Sequence, residues 1–476
     1  MLERKRVARI GIPLLFCMLF FGLQSLMVKG EKGQNQPQIL VADGSDLNSN
    51  FVLAQSSRPT VVPQVLYQRA WRLIKESYYD QKFGEKNNPP DKNNSVGGAQ
   101  DWGRWEHHYD GKLKTSEDAH KAIETMLASL GDPYTRFLDR DAFDEEKSQI
   151  DAHLFGVGMQ LGMNKEHKVV VIAPIEGTPA FNAGIQPGDE IIEVDRKPVK
   201  GQSLDTVVKQ IRGPIKTKVG ITLMRKTEKK SVMLERAEIP IRAVATSELL
   251  PGNIAYIRLD SFISSKANAE MKQALKKLSG ADGIVLDLRN NPGGLLANAI
   301  EIANMFLDKG IIVSTIDADG YKNSQMSSNN PVTHQPMIVL INGGSASASE
   351  ILSGALRDNG RAKLVGQKSF GKGLVQAINK LEDGSGINVT IARYLTPNDT
   401  DIHKQGITPD YLVKLEDTDY TKGKGPWWID LSYQNFKRSP IDGKDIQLNK
   451  AVEVMKDTIA KTQGRTTAQA GDTAKN

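Results

Sequence analysis

The sequence predicts an α/β multidomain protein with an N-terminal helical region, a small β-rich barrel and a larger α/β domain. Three patterns predict it. Helical periodicity dominates residues 63–150, short β-like runs at close spacing fill 151–238, and strand–helix alternation governs 239–420. At 476 residues the chain is too long for one ordinary core, so two or three domains are expected.

Before the first of these regions, Arg4, Lys5, Arg6 and Arg9 precede an almost uncharged stretch from Ile10 to Val28. A basic flank before an apolar run is an export pattern, and it leaves the rest of the chain on the far side of a membrane. Residues 1–29 are therefore expected to be a signal anchor or a signal peptide. The run just spans a bilayer and no small-x-small site follows it, which favours a retained anchor over a cleaved signal. The following residues, 30–62, are rich in Gly, Asn, Gln and Ser and read as a flexible linker.

Pro63 opens a helical pattern in which Val65, Leu66, Leu73 and Ile74 share a face, and a polar segment from Lys86 to Gly98 reads as an exposed loop. Thr115 and Asp118 have capping-box spacing ahead of the stripe Ala119, Ala122, Ile123, Met126, Leu127 and Leu130, and Gly131 and Pro133 end that helix. Gly158–Leu161, Val169–Ile172, Glu190–Val194, Val219–Met224 and Ser231–Leu234 read as short strands, with one amphipathic helix around Leu204–Ile211. In the third region the strands Ile254–Leu259, Gly283–Leu288 and Met337–Ile341 alternate with helices over Ala267–Leu278, Leu295–Phe306 and Ser349–Leu356. Strands follow at Lys363–Val365, Leu374–Ile378 and Ile387–Tyr394. An extension, 421–462, carries a last helix through Leu448, Val452, Met455 and Ile459, and 463–476 reads as a polar tail.

Composition narrows the chemistry. The formal charge is +6, but Lys and Arg are interspersed with Asp and Glu, which gives a mixed solvated surface and no nucleic-acid groove. The single cysteine, Cys17, lies in the N-terminal apolar run, so the body offers no disulfide, cysteine zinc site or catalytic thiol. None of the seven histidines forms an HExxH pair, so neither a metal nor another cofactor is expected.

Three segments carry chemistry. Asn342-Gly343-Gly344-Ser345-Ala346-Ser347-Ala348-Ser349-Glu350 joins a strand to an apolar helix. A serine at such a turn sits at a helix start, where free N–H groups can stabilise a tetrahedral oxyanion. On this string alone, a Ser-rich helix cap is the better reading. Gly371-Lys372-Gly373 precedes a strand, and its glycines let the lysine approach another backbone closely. A lysine that serves as base must be neutral near pH 7, and an apolar pocket favours that state. Asp287-Leu288-Arg289-Asn290-Asn291-Pro292-Gly293-Gly294 again joins a strand to a helix, and reads equally as an Asn-Pro-Gly turn or as an oxyanion donor.

In order and spacing these segments, with Asp132-Pro133-Tyr134-Thr135, Ser369–Gln376 and Gly406–Asp410, resemble the carboxyl-terminal processing peptidases, or tail-specific proteases. Bacterial and cyanobacterial–plastid forms both look close. The resemblance covers about residues 65 to 415. It implies a Clp protease/crotonase-like α/β catalytic core over 239–420, with Ser347 as nucleophile, Lys372 as base 25 positions on, Gln376 holding the lysine, and Gly293 and Ala348 as oxyanion donors. Phe155-Gly156-Val157-Gly158-Met159 resembles the carboxylate-binding loop of PDZ domains. Thr178-Pro179-Ala180, Ala183-Gly184-Ile185, Pro187-Gly188-Asp189 and Ile211-Arg212-Gly213-Pro214 match further landmarks, so 151–238 is expected to be an inserted PDZ domain. Backbone N–H groups of Gly156, Val157, Gly158 and Met159 would hold a substrate's C-terminal carboxylate.

The implied function is a serine endopeptidase that captures protein C-terminal tails and cuts near them with a Ser–Lys dyad. Its expected partners are proteins with exposed apolar C-termini, an activating adaptor protein, and a membrane reached through residues 10–28. Its expected location is extracytoplasmic: periplasm, cell envelope or thylakoid lumen. A non-catalytic PDZ adaptor and a ligand-binding protein on the same core are the rivals, and the intact Ser347, Lys372 and Gln376 set disfavours both.

Overall fold

A computed structural model describes residues 61–80, 99–428 and 439–473, apart from single residues 152, 165, 176, 187 and 241. The expected anchor, the linker up to residue 60 and the Lys86–Gly98 loop lie outside the described residues. The chain divides into two compact units. Of the described residues, one comprises Asp144–Val375 with those from Ile391 onward, and the other comprises those up to Phe143 with Gln376–Thr390.

The larger unit is organised by a six-stranded sheet in the order Val244–Leu250, Ile254–Leu259, Gly283–Asp287, Met337–Ile341, Ala362–Gly366 and Tyr411–Leu412. The first pair is antiparallel and the remaining four pairs are parallel. The central strands Gly283–Asp287 and Met337–Ile341 are buried throughout, as expected of parallel strands covered on both faces. Alternation sorts their side chains. Ile257, Ile284, Leu286 and Val339 face a core built with the helices Ala267–Lys277, Leu296–Asn304 and Ala348–Asp358, while Tyr256, Val285, Ile338 and Leu340 face Leu448, Ala451 and Met455. The last helix, Ile446–Thr473, therefore covers the second face of the sheet, and the segment read from composition as a polar tail continues it to residue 473. Composition reports that a segment is polar, which does not preclude a helix.

The same unit contains the β-rich region. Its antiparallel sheet runs Met159–Met163, Val169–Pro174, Glu190–Val194, Lys218–Arg225 and Glu228–Glu235, with the helix Leu204–Ile211 contributing Val207 and Ile211 to a separate small core. Arg236 donates to the carbonyls of Ile211, Gln210 and Lys218, which satisfies the end of that helix. Sequence periodicity missed a hairpin, Ile311–Ile316 with Lys322–Met326, and the edge strands Val244–Leu250 and Tyr411–Leu412. Lys322–Met326 and the two edge strands are short or half-exposed and carry no sustained apolar alternation.

In the smaller unit, Pro63–Ser77 buries Leu66, Tyr67, Ala70, Trp71, Leu73 and Ile74, while Val65, expected on that face, is exposed. Aromatic residues set the face, because Tyr67 donates to the Trp105 carbonyl, and Trp71 and Trp102 each donate an indole N–H to the other's carbonyl. The helix Ser116–Ala128 starts with the expected capping box. The Asp118 N–H donates to Thr115 Oγ1 at 3.1 Å and the Thr115 N–H donates to Asp118 Oδ2 at 2.9 Å.

Candidate active site

Two glycine-containing loops leave the C-terminal ends of the adjacent parallel strands Gly283–Asp287 and Met337–Ile341, the edge of an open α/β sheet where ligands bind. They are stitched together directly. The Ala346 N–H donates to the Asn291 carbonyl at 3.0 Å, Ser349 Oγ donates to the same carbonyl at 2.9 Å, and Ser345 Oγ donates to the Leu288 carbonyl at 2.8 Å. Asn342 Oδ1 accepts the Asn290 N–H, and Asn342 Nδ2 donates to Asn290 Oδ1, both at 2.8 Å.

Ser347 sits between the second loop and the helix Ala348–Asp358, with φ 53° and ψ −110°. Few non-glycine residues adopt such a conformation, and it costs about 1–3 kcal/mol unless its surroundings enforce it. The enforcing group is Glu350, which is fully buried. Its Oε2 accepts the Ser347 N–H at 2.8 Å and the Lys372 N–H at 2.9 Å, while Oε1 accepts Ser369 Oγ at 2.5 Å and the Gly371 N–H at 2.7 Å. One carboxylate thus fixes the backbones of the serine and the lysine together. Burial raises the Glu350 carboxyl above its ordinary pKa, and the four donors pull it back without cancelling the shift.

Lys372 is only 1% exposed. Its carbonyl accepts the Tyr394 hydroxyl, so its backbone is held from both sides. The glycines around it are demanded by close contact. A Cβ on Gly371 would lie 2.8 Å from the Gly406 nitrogen, and one on Gly373 would lie 2.9 Å from the His403 nitrogen. The sequence reading of this tripeptide as a close backbone approach is thereby realised. Ser347, at 3% exposure, and Lys372 are both nearly dry, and among the described residues no cluster of His, Cys, Asp and Glu has the makings of a metal site.

Ala348 is the first residue of its helix, a position whose N–H has no intrahelical acceptor. Gly293, with φ 102°, donates its N–H to Asn291 Oδ1 at 2.9 Å, so in this conformation that donor is already engaged. Gln376 belongs to the smaller unit, where its Nε2 donates to Thr390 Oγ1 at 3.3 Å and its buried Oε1 has no donor among the described residues. Thr390 and Thr135 each donate to Asp132 Oδ2 at 2.7 Å, so the Asp132–Thr135 segment buttresses the residue that holds Gln376.

Residues Gly156 to Met159 link strand His153–Gly156, paired with Ala237–Pro240, to strand Met159–Met163, paired with Val169–Pro174. Gly158 has φ 77°, and a Cβ there would lie 2.2 Å from the Thr178 side chain. The Gly158 carbonyl accepts Thr178 Oγ1 and the Ile175 N–H, both at 2.9 Å, and the Val157 carbonyl accepts the Ala180 N–H at 2.8 Å. With these carbonyls tied back, the loop path is fixed independently of any ligand. Nearby, Asp189 takes a two-pronged bond from Arg225, with both contacts at 2.7 Å. That landmark is structural.

Sequence reasoning missed the roles of Glu350, Asp132 and Arg289. Glu350 had a local signal, three positions after Ser347. Arg289 had a local partner in Asp287, two positions before it, but no signal pointed to Asp445, 156 residues away.

The model of the family "Peptidase family S41" matches residues 253–413, and that of "PDZ domain" matches residues 147–224. A carboxyl-terminal-processing protease of Synechocystis sp. is 39% identical over 379 residues, covering 78% of this chain and 85% of that protein. The chloroplastic carboxyl-terminal-processing peptidase 2 of Arabidopsis thaliana is 36% identical over 365 residues, covering 73% of this chain and 68% of that one. Among solved structures, a photosystem II D1 C-terminal processing protease matches with a TM-score of 0.50 at 34% identity, over 75% of this chain and 94% of that chain.

Proposed function

Because this chain belongs to the carboxyl-terminal-processing proteases of peptidase family S41, serine peptidases that carry a PDZ domain and a Ser–Lys dyad, we propose that Ser347 is its nucleophile and Lys372 its general base. The observation that carries the assignment is the Glu350 carboxylate, one oxygen of which holds the N–H groups of both residues. Such a tether fixes a nucleophile and base drawn from separate strand–loop connections, which is the positional order that acyl transfer needs.

In the first step the neutral Lys372 amine takes the Ser347 hydroxyl proton while Oγ attacks the scissile carbonyl carbon. The resulting oxyanion accepts hydrogen bonds from the Ala348 and Gly293 N–H groups, and a charged oxygen is a stronger acceptor than the Asn291 amide that holds Gly293 in the resting loop. The Lys372 ammonium then returns the proton to the departing amine, leaving an acyl-serine. Water attacks that ester with Lys372 again as base and frees the carboxylate product. Gln376, four positions after the lysine, takes the orienting role that the family pattern implies.

Substrates are proteins with apolar C-terminal tails, held by the Gly156–Met159 loop of the PDZ domain, and an adaptor protein serves as activator. The enzyme works outside the cytoplasm, tethered or exported through residues 10–28. No helix among the described residues is long and apolar enough to cross a membrane, and that segment lies outside them.

The test is cleavage of a small protein ending in an apolar tail by the full chain, with products identified by mass. Wild type should cut, while Ser347→Ala and Lys372→Ala should bind the tail without cutting. Appreciable turnover by Lys372→Ala would sink the dyad. Tail binding without cleavage or covalent labelling of Ser347 in wild type would favour the adaptor reading instead.

A further inference from the structure

The oxyanion loop begins with a heavily bonded buried charge. Arg289 is among the largest fully buried side chains, and each of its five N–H groups has an acceptor. Nε donates to Asp287 Oδ1 at 3.0 Å and Oδ2 at 3.1 Å, and Nη2 donates to Asp287 Oδ2 at 2.6 Å and Asp445 Oδ2 at 2.8 Å. Nη1 donates to Asp445 Oδ1 at 2.9 Å and to Gln447 Oε1 at 3.1 Å. The guanidinium also lies 4.9 Å from the ring centroid of Trp428.

Asp287 ends the strand from which the loop departs. It accepts the Tyr256 hydroxyl at 2.9 Å and the Arg289 N–H at 3.0 Å, and Tyr256 in turn accepts the Trp427 indole N–H at 2.9 Å. The first turn of the loop is thus set by Asp287 and Arg289, which are held by Trp427 through Tyr256 and by Asp445 and Gln447. Beyond Arg289 the loop is pinned to the strand Ile254–Leu259 and the turn after it. Asn291 Nδ2 donates to the Leu259 carbonyl at 2.7 Å, and the Phe262 N–H donates to the Gly293 carbonyl at 2.8 Å. Gly293 is suspended between these anchors, four residues after Arg289.

The geometry points to Asp445 as a positioning residue for the oxyanion loop: through the Arg289 fork, the C-terminal segment sets where the Gly293 N–H lies when the tetrahedral intermediate forms. The inference rests on the peptidase reading above. Asp445 has a second duty, since its Oδ1 accepts the Leu448 N–H at 3.0 Å and so caps the last helix. Asparagine is as good a helix cap as aspartate. Asp445→Asn therefore keeps the cap and the volume, removes the charge, and turns an N–H₂ group toward the guanidinium.

The experiment compares full-chain wild type, Asp445→Asn and Gln447→Met by turnover per titrated active site. It also measures tail-peptide affinity in a Ser347→Ala background and inhibition by a peptidyl boronic acid, whose adduct places an oxygen in the oxyanion pocket. A donor misplaced by a fraction of an ångström should lower kcat by about 10- to 100-fold in Asp445→Asn, with KM and tail affinity within about twofold of wild type. Boronate affinity should fall with kcat. Gln447→Met, which removes one acceptor from Arg289 and the amide's bonds to Gln367 and the Val413 carbonyl but no charge, should give the same signature at about threefold, and it decides the matter if Asp445→Asn does not fold. Unchanged kcat and boronate affinity per titrated site, with only the melting temperature lowered, would make Asp445 a purely structural residue and overturn the inference while leaving the peptidase intact. Absence of cleavage and of Ser347 labelling in wild type would overturn both.

Discussion

The nucleophile loop and the oxyanion loop leave neighbouring parallel strands and are bonded to each other, yet their further braces differ. The nucleophile loop closes on its own helix: Glu350, three residues after Ser347, accepts the serine N–H and gathers the Lys372 segment onto the same carboxylate. The oxyanion loop is held from outside, by Asn342 52 residues away and by Asp445 156 residues away. The Glu350 brace belongs to the short motif itself, although the nucleophile loop also bonds to the Asn291 and Leu288 carbonyls of its neighbour. A loop braced by distant groups is correct only when the rest of the unit has folded around it, and it can be adjusted from there. On the proposed assignment the nucleophile Ser347 and one oxyanion donor, Ala348, sit on the locally braced loop, and the second donor, Gly293, on the remotely braced one.

Variants can break this contrast at different levels. The largest effect belongs to the chemistry itself. Ser347→Ala and Lys372→Ala should each lower turnover by about 10⁴-fold or more, with tail binding kept, as product analysis will read. Next comes the local brace. Glu350→Gln leaves an amide nitrogen facing two of the four buried donors, so the urea midpoint should fall by the equivalent of about 3–5 kcal/mol and turnover should be lost with it.

The same residue gives a pH signature. A carboxyl raised in the folded state retains a proton that the unfolded chain has released. Its contribution to stability is therefore full below the ordinary glutamate range and is lost as pH rises through the raised value. Urea midpoints measured from about pH 4 to pH 8 should show that decline in wild type, and a folded Glu350→Gln protein should lack it.

The remote brace comes third. Asn342→Ala deprives the Asn290 and Gly344 N–H groups of their acceptor and should lower kcat by about tenfold with a smaller loss of stability than Glu350→Gln. If it destabilises as much as Glu350→Gln, the distinction between the two loops collapses. The smallest effect on chemistry should come from Gly158→Ala, far from both loops in sequence. It forces a Cβ to within 2.2 Å of the Thr178 side chain and should weaken tail affinity, while cleavage of a short peptide that does not need the PDZ domain changes by less than about threefold. An equal loss on both substrates would show that Gly158 affects more than substrate capture.

What the sequence alone determined is whatever is written in contiguous residues: the strand–turn–helix around Ser347, the lysine between two glycines, the capped helix from Ser116, and the small β-rich unit with its landmarks. Each depends on periodicity, on a turn residue or on a bond spanning a few positions, and such signals survive in one dimension. The tertiary structure decided the rest. It placed Glu350 under both catalytic candidates, joined Asn290 to Asn342, and brought Asp445 and Gln447 to Arg289. It also laid the last helix across the second face of the sheet, a partner that the stripe Leu448, Val452, Met455 and Ile459, read from the sequence, does not identify. The physical reason is common to all of these. A buried charge or amide is stable only when its partners arrive together, and those partners are brought near by the sheet order, which no local pattern records.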